Sequence, residues 1–309
     1  MDAPALDPVV TSAPSAALTE AREAGAAPGR HLSAWEKAEN FPVALWLLPR
    51  DLRADLRAVY AVVRTIDQLG DAAPGDRTSA LHDFRRDLGT VWTTGRPRSP
   101  VLAALVAPMR RRELPRGPFD RLVAANLQDQ RVTRYESFPD LLDYCALSAA
   151  PIGRLVLAVF GAASPARIAL SDRVCAGLQV VEHLQDVAED RRAGRIYLPM
   201  EDLAVHRVRE SDLDAASASP ALRRLISAEL DRVTRLLDAA GPLLADLSGW
   251  ARIAVAGYLA GGWAAVDGIR RVDCDVLPGT PGVRRRDLAR HLLLSFAPHP
   301  PLRSGPGAT

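Results

Sequence analysis

Cysteine is scarce in this chain of 309 residues, with three copies that stand far apart in the sequence. No CxxC pair occurs, and no histidine lies near any of them at ligand spacing. We therefore expect neither a disulfide framework nor a zinc site, and a reducing compartment is favoured. Lysine is scarcer still, because Lys37 is the single copy among 39 basic residues. We attribute this bias to codon usage in a GC-rich genome.

A charge excess of either sign is also missing. The 39 basic residues are nearly balanced by 37 acidic ones, and the net charge is +2. This composition is typical of a soluble enzyme and lacks the basic excess of a nucleic-acid-binding protein. The N-terminus has no basic-then-apolar signal pattern, and the longest uncharged apolar run, 253–266, is too short to span a bilayer. We expect a cytoplasmic protein with no nucleic-acid partner.

Strand patterns are absent as well, and most of the chain shows helical periodicity. Apolar residues recur at 3.6-residue spacing in segments separated by proline and glycine. These predicted helices are 51–71, 76–93, 99–113, 117–131, 137–161, 165–192, 219–247, 249–272 and 282–296. The pattern predicts an all-α protein: one helical bundle with a central cavity over 34–296, between disordered tails at 1–33 and 297–309.

Two of these predicted helices carry a stripe of polar side chains along an otherwise apolar sequence. The stripes recur at steps of three or four residues, which places their side chains on one helix face. The first consists of Tyr60, Arg64, Asp67 and Asp71, and the second of Gln179, Glu182, Asp186 and Asp190. A single pair of acids at this spacing usually marks a solvated face. Two such stripes in helices apolar enough to be buried indicate a site.

The five carboxylates in these stripes need positive partners, because burying an unpaired carboxylate costs several kcal/mol. Arg64 can neutralise one of them. Mg²⁺ takes oxygen ligands and typically bridges a few carboxylates to substrate phosphates. We therefore expect the acids of both stripes to bind Mg²⁺ together with the diphosphate of an isoprenoid, whose hydrocarbon lies in the apolar bundle interior. Metal-neutralised diphosphate is a good leaving group, and an apolar cavity can hold the resulting carbocation.

Both stripes resemble motifs of a known family. The sequence YAVVRTIDQLGD, 60–71, resembles the first aspartate motif of the squalene/phytoene synthase family, and GLQVVEHLQDVAEDRRAGRIYLP, 177–199, resembles its second. The resemblance runs from about Ser33 to about Leu294 and implies an isoprenoid synthase-type bundle. It also implies catalytic roles for Asp67, Asp71, Asp186 and Asp190, metal binding by these four and Glu182, and substrate binding by Tyr60, Arg64, Gln179, Arg195 and Tyr197.

Two positions of the second motif depart from the family pattern. Position 182 is usually Asn and is Glu here, and position 185 is often Arg and is Gln here. The added negative charge and the missing positive charge predict tighter metal binding and looser direct contact with diphosphate. We interpret His183 as a core or partner-contact histidine, because an ideal helix turns it about 100° away from Glu182.

The segment ENFPVA, 39–44, is similar to that of family members that form hydroxysqualene. By this resemblance the substrate is presqualene diphosphate, which Mg²⁺-dependent chemistry converts to hydroxysqualene and diphosphate. Such a reaction stands between a presqualene diphosphate synthase and a squalene-forming reductase in squalene and hopanoid synthesis.

Two alternatives stay open. One is head-to-head condensation of two farnesyl or geranylgeranyl diphosphates, and the other is a non-catalytic assembly protein on the same fold, against which the intact aspartates argue. The water-insoluble product also favours peripheral contact with the inner face of the membrane. We identify no helix, however, with the Lys/Arg-rich pattern of an interfacial anchor.

Overall fold

The computed structural model describes residues 48–296, and this part of the chain forms helices and no strand. The helices are α1 (Arg50–Asp71), α2 (Arg77–Thr93), α3 (Pro100–Arg112), α4 (Gly117–Asp129), α5 (Phe138–Ser148), α6 (Ala150–Val159), α7 (Pro165–Gln185), α8 (Val187–Arg192), α9 (Met200–Val205), α10 (Pro220–Leu237), α11 (Ala240–Asp246), α12 (Gly249–Arg271) and α13 (Arg285–Leu294). A 3₁₀ turn at Glu210–Asp214 follows α9. The all-α prediction is confirmed. The predicted tails, the segment ENFPVA and residues 34–47 lie outside the described residues.

Two apolar clusters form the core. The first is built around α1, which packs against α2, α3, α4 and α6, and it contains Val62, Ile66 and Leu88. The second is built around α7, which packs against α5, α6, α10, α11 and α12. Helix α6 contributes Leu155 to the first cluster and Leu157 to the second. The two predicted acidic stripes therefore belong to different halves of one bundle.

Three predicted helices are interrupted in the structure. The segment 137–161 divides into α5 and α6, and 219–247 divides into α10 and α11. In each case a proline, Pro151 or Pro242, lies in the first turn of the second helix, where its missing N–H is tolerated; farther inside a helix it would cost a hydrogen bond. The third interruption, at Asp186, has no proline and belongs to the site described below. The short α9 and the 3₁₀ turn were not predicted.

The stretch Phe138–Val159 is the one stretch within residues 48–296 that is long and apolar enough to cross a membrane, with a hydropathy of 1.4. It comprises α5 and α6, and 61% of its most apolar window is buried inside the protein. Both helices pack against α4 and α7. The stretch is therefore part of the bundle core.

A buried ion-pair cluster joins α5, α9 and α10. Arg232 donates two hydrogen bonds to Asp202, at 2.6 and 2.8 Å, and one to Glu229 at 2.9 Å. Its guanidinium also lies over the ring of Phe138, 4.7 Å from the centroid. Burial raises the pKa of Glu229 to about 8, against the opposing effect of Arg232. The three helices are thus held by one arginine that binds two acidic side chains.

Candidate functional site

The first stripe lies at the C-terminal end of α1, where that helix approaches α4 closely. Asp67 is buried, and Asp71 is the last residue of the helix. Gly70 permits the approach, since a Cβ atom there would stand 2.1 Å from Oδ1 of Asn126. The side chain of Gln130 then donates a 3.0 Å hydrogen bond to the carbonyl of Gly70. The end of α4 is therefore fixed beside the first aspartate motif.

Tyr60 and Arg64 continue this stripe toward the N-terminus of α1. Both side chains are half-buried. Burial, together with the charge of Asp67, raises the pKa of Tyr60 above its ordinary value. The structure thus keeps Tyr60 and Asp67 on the same side of α1, as the helical spacing predicts.

The second stripe is not one continuous helix. Helix α7 ends at Gln185, Asp186 has φ −104° and ψ 16°, and α8 starts at Val187. The loop after α12 meets this break: Thr280 Oγ1 donates to Oδ1 of Asp186 at 3.0 Å, and Gln185 Nε2 donates to the carbonyl of Pro281 at 3.1 Å. Gln185, which replaces the arginine common in the family, therefore binds a loop of this chain.

Arg195 connects the two motifs. It follows α8, and its Nη2 lies 3.7 Å from Oδ1 of Asp71 at the end of α1. Although burial lowers the pKa of Arg195, the neighbouring Tyr197, Asp129 and Asp71 raise it above its usual value. The guanidinium therefore stays charged. The structure thus brings residues of the first and second motifs to one place.

Tyr197, which lies two residues after Arg195, contacts His183 of α7. Their rings stack with centroids 3.7 Å apart. His183 also lies 3.3 Å from Nε2 of Gln179 and 3.8 Å, measured from Nδ1, from Oδ2 of Asp190. His183 is a buried residue, as expected, but the inference that it points away from the polar stripe is wrong. Residues 179 and 183 are four positions apart and so are neighbours on α7.

Tyr197 belongs to a buried group around α4 and α5 whose other members were not predicted from the sequence. Asp129 is buried and accepts a 2.9 Å hydrogen bond from the hydroxyl of Tyr144. The rings of Tyr135, Tyr144 and Tyr197 have centroids 5.3 to 5.7 Å apart. Burial raises the pKa of Tyr144 and of Tyr197 well above the ordinary value, so both phenols stay neutral. The sequence signal for this group is a pair of polar residues, Asn126 and Asp129, three positions apart in an otherwise apolar helix.

The predicted metal site can be tested against this arrangement. Within residues 48–296, no three acidic, histidine or cysteine side chains converge on a ready-made metal site. The donor set nevertheless fits Mg²⁺ in its chemistry, because the candidate ligands are carboxylates on two motifs that meet where Arg195 contacts Asp71. Mg²⁺ usually binds through one or two carboxylates and completes its shell with water and substrate phosphates, so a preformed cage is not required. The five-carboxylate site stays a prediction.

The helical bundle and its two acidic motifs define the class of protein, an isoprenoid synthase-type fold, and comparison with known proteins identifies the family. The sequence profile described as squalene/phytoene synthase matches residues 36–290, and the chain belongs to that family. It is similar to the hydroxysqualene synthase of Sinorhizobium fredii, with 33% identity over 71% of this chain and 75% of that protein. It is also similar to the hydroxysqualene synthase of Rhodopseudomonas palustris, with 35% identity over 68% of this chain and 71% of that protein.

A phytoene synthase and two solved structures extend the comparison. The phytoene synthase of Mycobacterium tuberculosis is 36% identical over 54% of this chain and 55% of that protein. The crystal structure of a squalene synthase from Alicyclobacillus acidocaldarius has a TM-score of 0.72 and 36% identity, covering 82% of this chain and 96% of that one. The structure of a dehydrosqualene synthase has a TM-score of 0.75 and covers 90% of this chain and 97% of that one. Because it is 21% identical, it shows the fold alone. The predicted isoprenoid synthase-type fold is confirmed, and the protein is an enzyme of this family.

Proposed function

We propose that this enzyme converts presqualene diphosphate to hydroxysqualene and diphosphate, with Mg²⁺ bound by Asp67, Asp71, Asp186, Glu182 and Asp190. The observation that supports the proposal is the contact between Arg195 of the second motif and Asp71 of the first, whose Nη2 and Oδ1 atoms lie 3.7 Å apart. The relatives named hydroxysqualene synthase are aligned over about two thirds of the chain and more, and the phytoene synthase over about half.

The residues of the site divide the work of this reaction. Mg²⁺, when bound, would neutralise the diphosphate as it leaves. Arg195, and Arg64 on the face of α1, supply further positive charge for the same group. The carbon–oxygen bond of the diphosphate ester breaks, water adds to the rearranged cation, and the added water loses a proton. The buried rings of Tyr135, Tyr144 and Tyr197 offer π faces to the cation and limit the access of bulk water.

Asp129 and His183 position these rings. The hydrogen bond from Tyr144 to Asp129 fixes the phenol of Tyr144, and the stacked imidazole of His183 fixes the plane of Tyr197. The reaction requires a preceding enzyme that supplies presqualene diphosphate and a following reductase that consumes the alcohol. We propose the cytoplasm as the location of the enzyme.

Substrate choice tests this function directly. With Mg²⁺ and without NADPH, the purified protein should consume presqualene diphosphate and release hydroxysqualene, because the cation has water as its only nucleophile. Oxygen from ¹⁸O-labelled water should appear in the alcohol, as measured by mass spectrometry. Farnesyl diphosphate alone should remain largely unconverted.

Two other outcomes would replace this proposal. Consumption of farnesyl or geranylgeranyl diphosphate alone would make the enzyme a head-to-head prenyltransferase, which the phytoene synthase relative favours. If no isoprenoid diphosphate reacts and none binds in the presence of Mg²⁺, the chain is a non-catalytic member of the family.

Thr280 should position Asp186 for the metal. Its hydroxyl donates to Oδ1 of Asp186 and lies 3.4 Å from Oε1 of Glu189. Thr280→Val removes this donor with little change in shape, and we expect about tenfold weaker Mg²⁺ affinity, as for other residues that orient a metal ligand. Calorimetric titration with Mg²⁺ and a non-hydrolysable diphosphate measures this affinity.

The matched control is Thr234→Val on α10, since the hydroxyl of Thr234 donates to the carbonyl of Asp231 within its own helix. This variant should titrate like the unchanged protein. Equal Mg²⁺ affinities for the two variants would mean that Thr280 only secures the loop.

A further inference from the structure

Helix α13 carries an exposed face that the packing of the bundle leaves uncovered among the described residues. Of the seven exposed large apolar side chains in this part of the protein, five lie between residues 283 and 296. They are Val283, Leu292, Leu293, Leu294 and Phe296, and Leu293 is the most exposed of them, at 75%. No residue of α13 is buried. A concentration of this kind marks an interaction surface.

Arginines accompany these apolar side chains. Residues 283–296 contain four arginines and one aspartate, a formal charge of +3, while the whole chain carries +2. Arg284 and Arg285 are exposed and make no ion pair within residues 48–296. At 100° per residue, Arg286, Ala289 and Leu293 fall on one side of the helix. We call this side, with Arg284 and Arg285 at its start and Leu294 and Phe296 at its end, the α13 face.

The opposite side of α13 is fixed to α12. Asp267 of α12 accepts from His291 at 2.7 Å and from Arg290 at 3.0 Å. Arg271 of α12 pairs with Asp287. Arg290 is therefore paired with an acid of α12, and Arg286 lies 3.6 Å from Asp287. Within residues 48–296, the positive charge beside the exposed leucines that is not in an ion pair comes from Arg284 and Arg285. The orientation of the α13 face is set by packing and does not depend on a ligand.

We propose that the α13 face docks the enzyme on the surface of an anionic lipid bilayer. Exposed leucine and phenylalanine side chains bury apolar area at the headgroup boundary, and each nearby arginine adds attraction to anionic lipid. The sequence pattern did not identify this helix as an anchor, because its arginines and its leucines stand in adjacent runs and do not alternate at helical spacing. Only the packing on α12 shows which of them share the exposed side.

The α13 face is close in the chain to the proposed metal site. Arg285, at the start of α13, lies four positions after Pro281, whose carbonyl accepts from Gln185. Arg271 donates to the carbonyl of Gly282 at 3.3 Å, which ties the same loop to α12. A bilayer on the α13 face would therefore meet the protein beside the loop that contacts Asp186. This location suits an enzyme whose substrate and product dissolve in lipid.

Vesicle binding of the full chain, without substrate or Mg²⁺, tests this inference. The unchanged protein should co-sediment with phosphatidylcholine vesicles containing 30% phosphatidylglycerol and bind pure phosphatidylcholine at least about tenfold more weakly. Leu293→Glu and the double variant Arg284→Glu/Arg285→Glu should each lose at least about tenfold in binding to the anionic vesicles. Raising the salt concentration should weaken binding of the unchanged protein.

The matched control is Val205→Glu, because Val205 is exposed to the same 75% at the end of α9 and is not part of the α13 face. It should bind as the unchanged protein does, and circular dichroism should show all variants folded. Three results would overturn the proposal: equal binding by Leu293→Glu and Val205→Glu, no binding by the unchanged protein, or a dimer that Leu293→Glu dissociates without vesicles, which would make a second copy the partner. Since no reaction is measured, the outcome is independent of the proposed function.

Discussion

Asp67→Asn or Asp186→Asn should lower turnover about 100-fold or more while the protein stays folded. Each change keeps the shape of the side chain and removes one negative charge from a motif proposed to hold Mg²⁺. Loss of a metal ligand costs several kcal/mol of transition-state stabilisation, and each 1.4 kcal/mol is a factor of ten in rate. The melting temperature should be unchanged or higher, because removal of a charge relieves repulsion within an acidic stripe.

Three measurements separate this effect from damage to the fold. Steady-state kinetics give the turnover, circular dichroism gives the helix content, and calorimetry with Mg²⁺ and a diphosphate analogue gives metal binding. The matched control is Asp83→Asn on α2, an exposed carboxylate whose partner is Arg86. It should retain full turnover. Near-normal turnover in Asp67→Asn or Asp186→Asn would remove that residue from the proposed metal site.

Arg232→Met should be the most destabilising single change at a side chain outside the site. The methionine keeps much of the volume of the arginine but leaves Asp202 and Glu229 without their shared cation. Removing one partner of a buried ion pair costs about 3–5 kcal/mol. Because Arg232 retains 28% exposure, we expect about 3 kcal/mol, or about 6–12 °C in melting temperature for a domain of this size. Urea unfolding and calorimetry measure it.

The exposed pair of Arg209 with Asp212 supplies the control, since Arg209 is 82% exposed. Arg209→Met should leave stability close to that of the unchanged protein, because exposed ion pairs contribute little. An equal loss of stability in both variants would show that the buried cluster contributes no more than an exposed ion pair.

The cluster should also make stability depend on pH. The folded protein raises the pKa of Glu229 from 4.5 to about 8, so between these values the folded state holds a proton that the unfolded chain releases. Stability contributed by this group therefore falls as the pH rises through this window. Adding Glu229→Gln to Arg232→Met should recover part of the lost stability at pH 8 and flatten the pH dependence. A steeper dependence in the double variant would contradict this assignment.

The helical class and the positions of both acidic motifs were predictable because they depend on local spacing. Apolar residues recur with a 3.6-residue period along α1 and α7, and residues three or four apart share a face whatever surrounds the helix. The same local rule explains why Asp67 and Asp71, or Gln179 and Glu182, can be grouped from the amino-acid sequence. The squalene/phytoene synthase family followed from these motifs in the right order, and the family profile confirms it.

Tertiary structure alone decided the contacts between segments distant in sequence. Arg195 meets Asp71 across 124 positions of chain, Thr280 meets Asp186 across 94, and no periodicity within one helix encodes either distance. The break at Asp186 and the pairing of Asp129 with Tyr144 likewise depend on which helix packs beside which. Exposure is decided in the same way: the arginines and leucines of α13 form one surface only because α12 covers the other side. Local spacing determines which side chains share a helix face, whereas the partner helix determines whether that face is buried, paired or open.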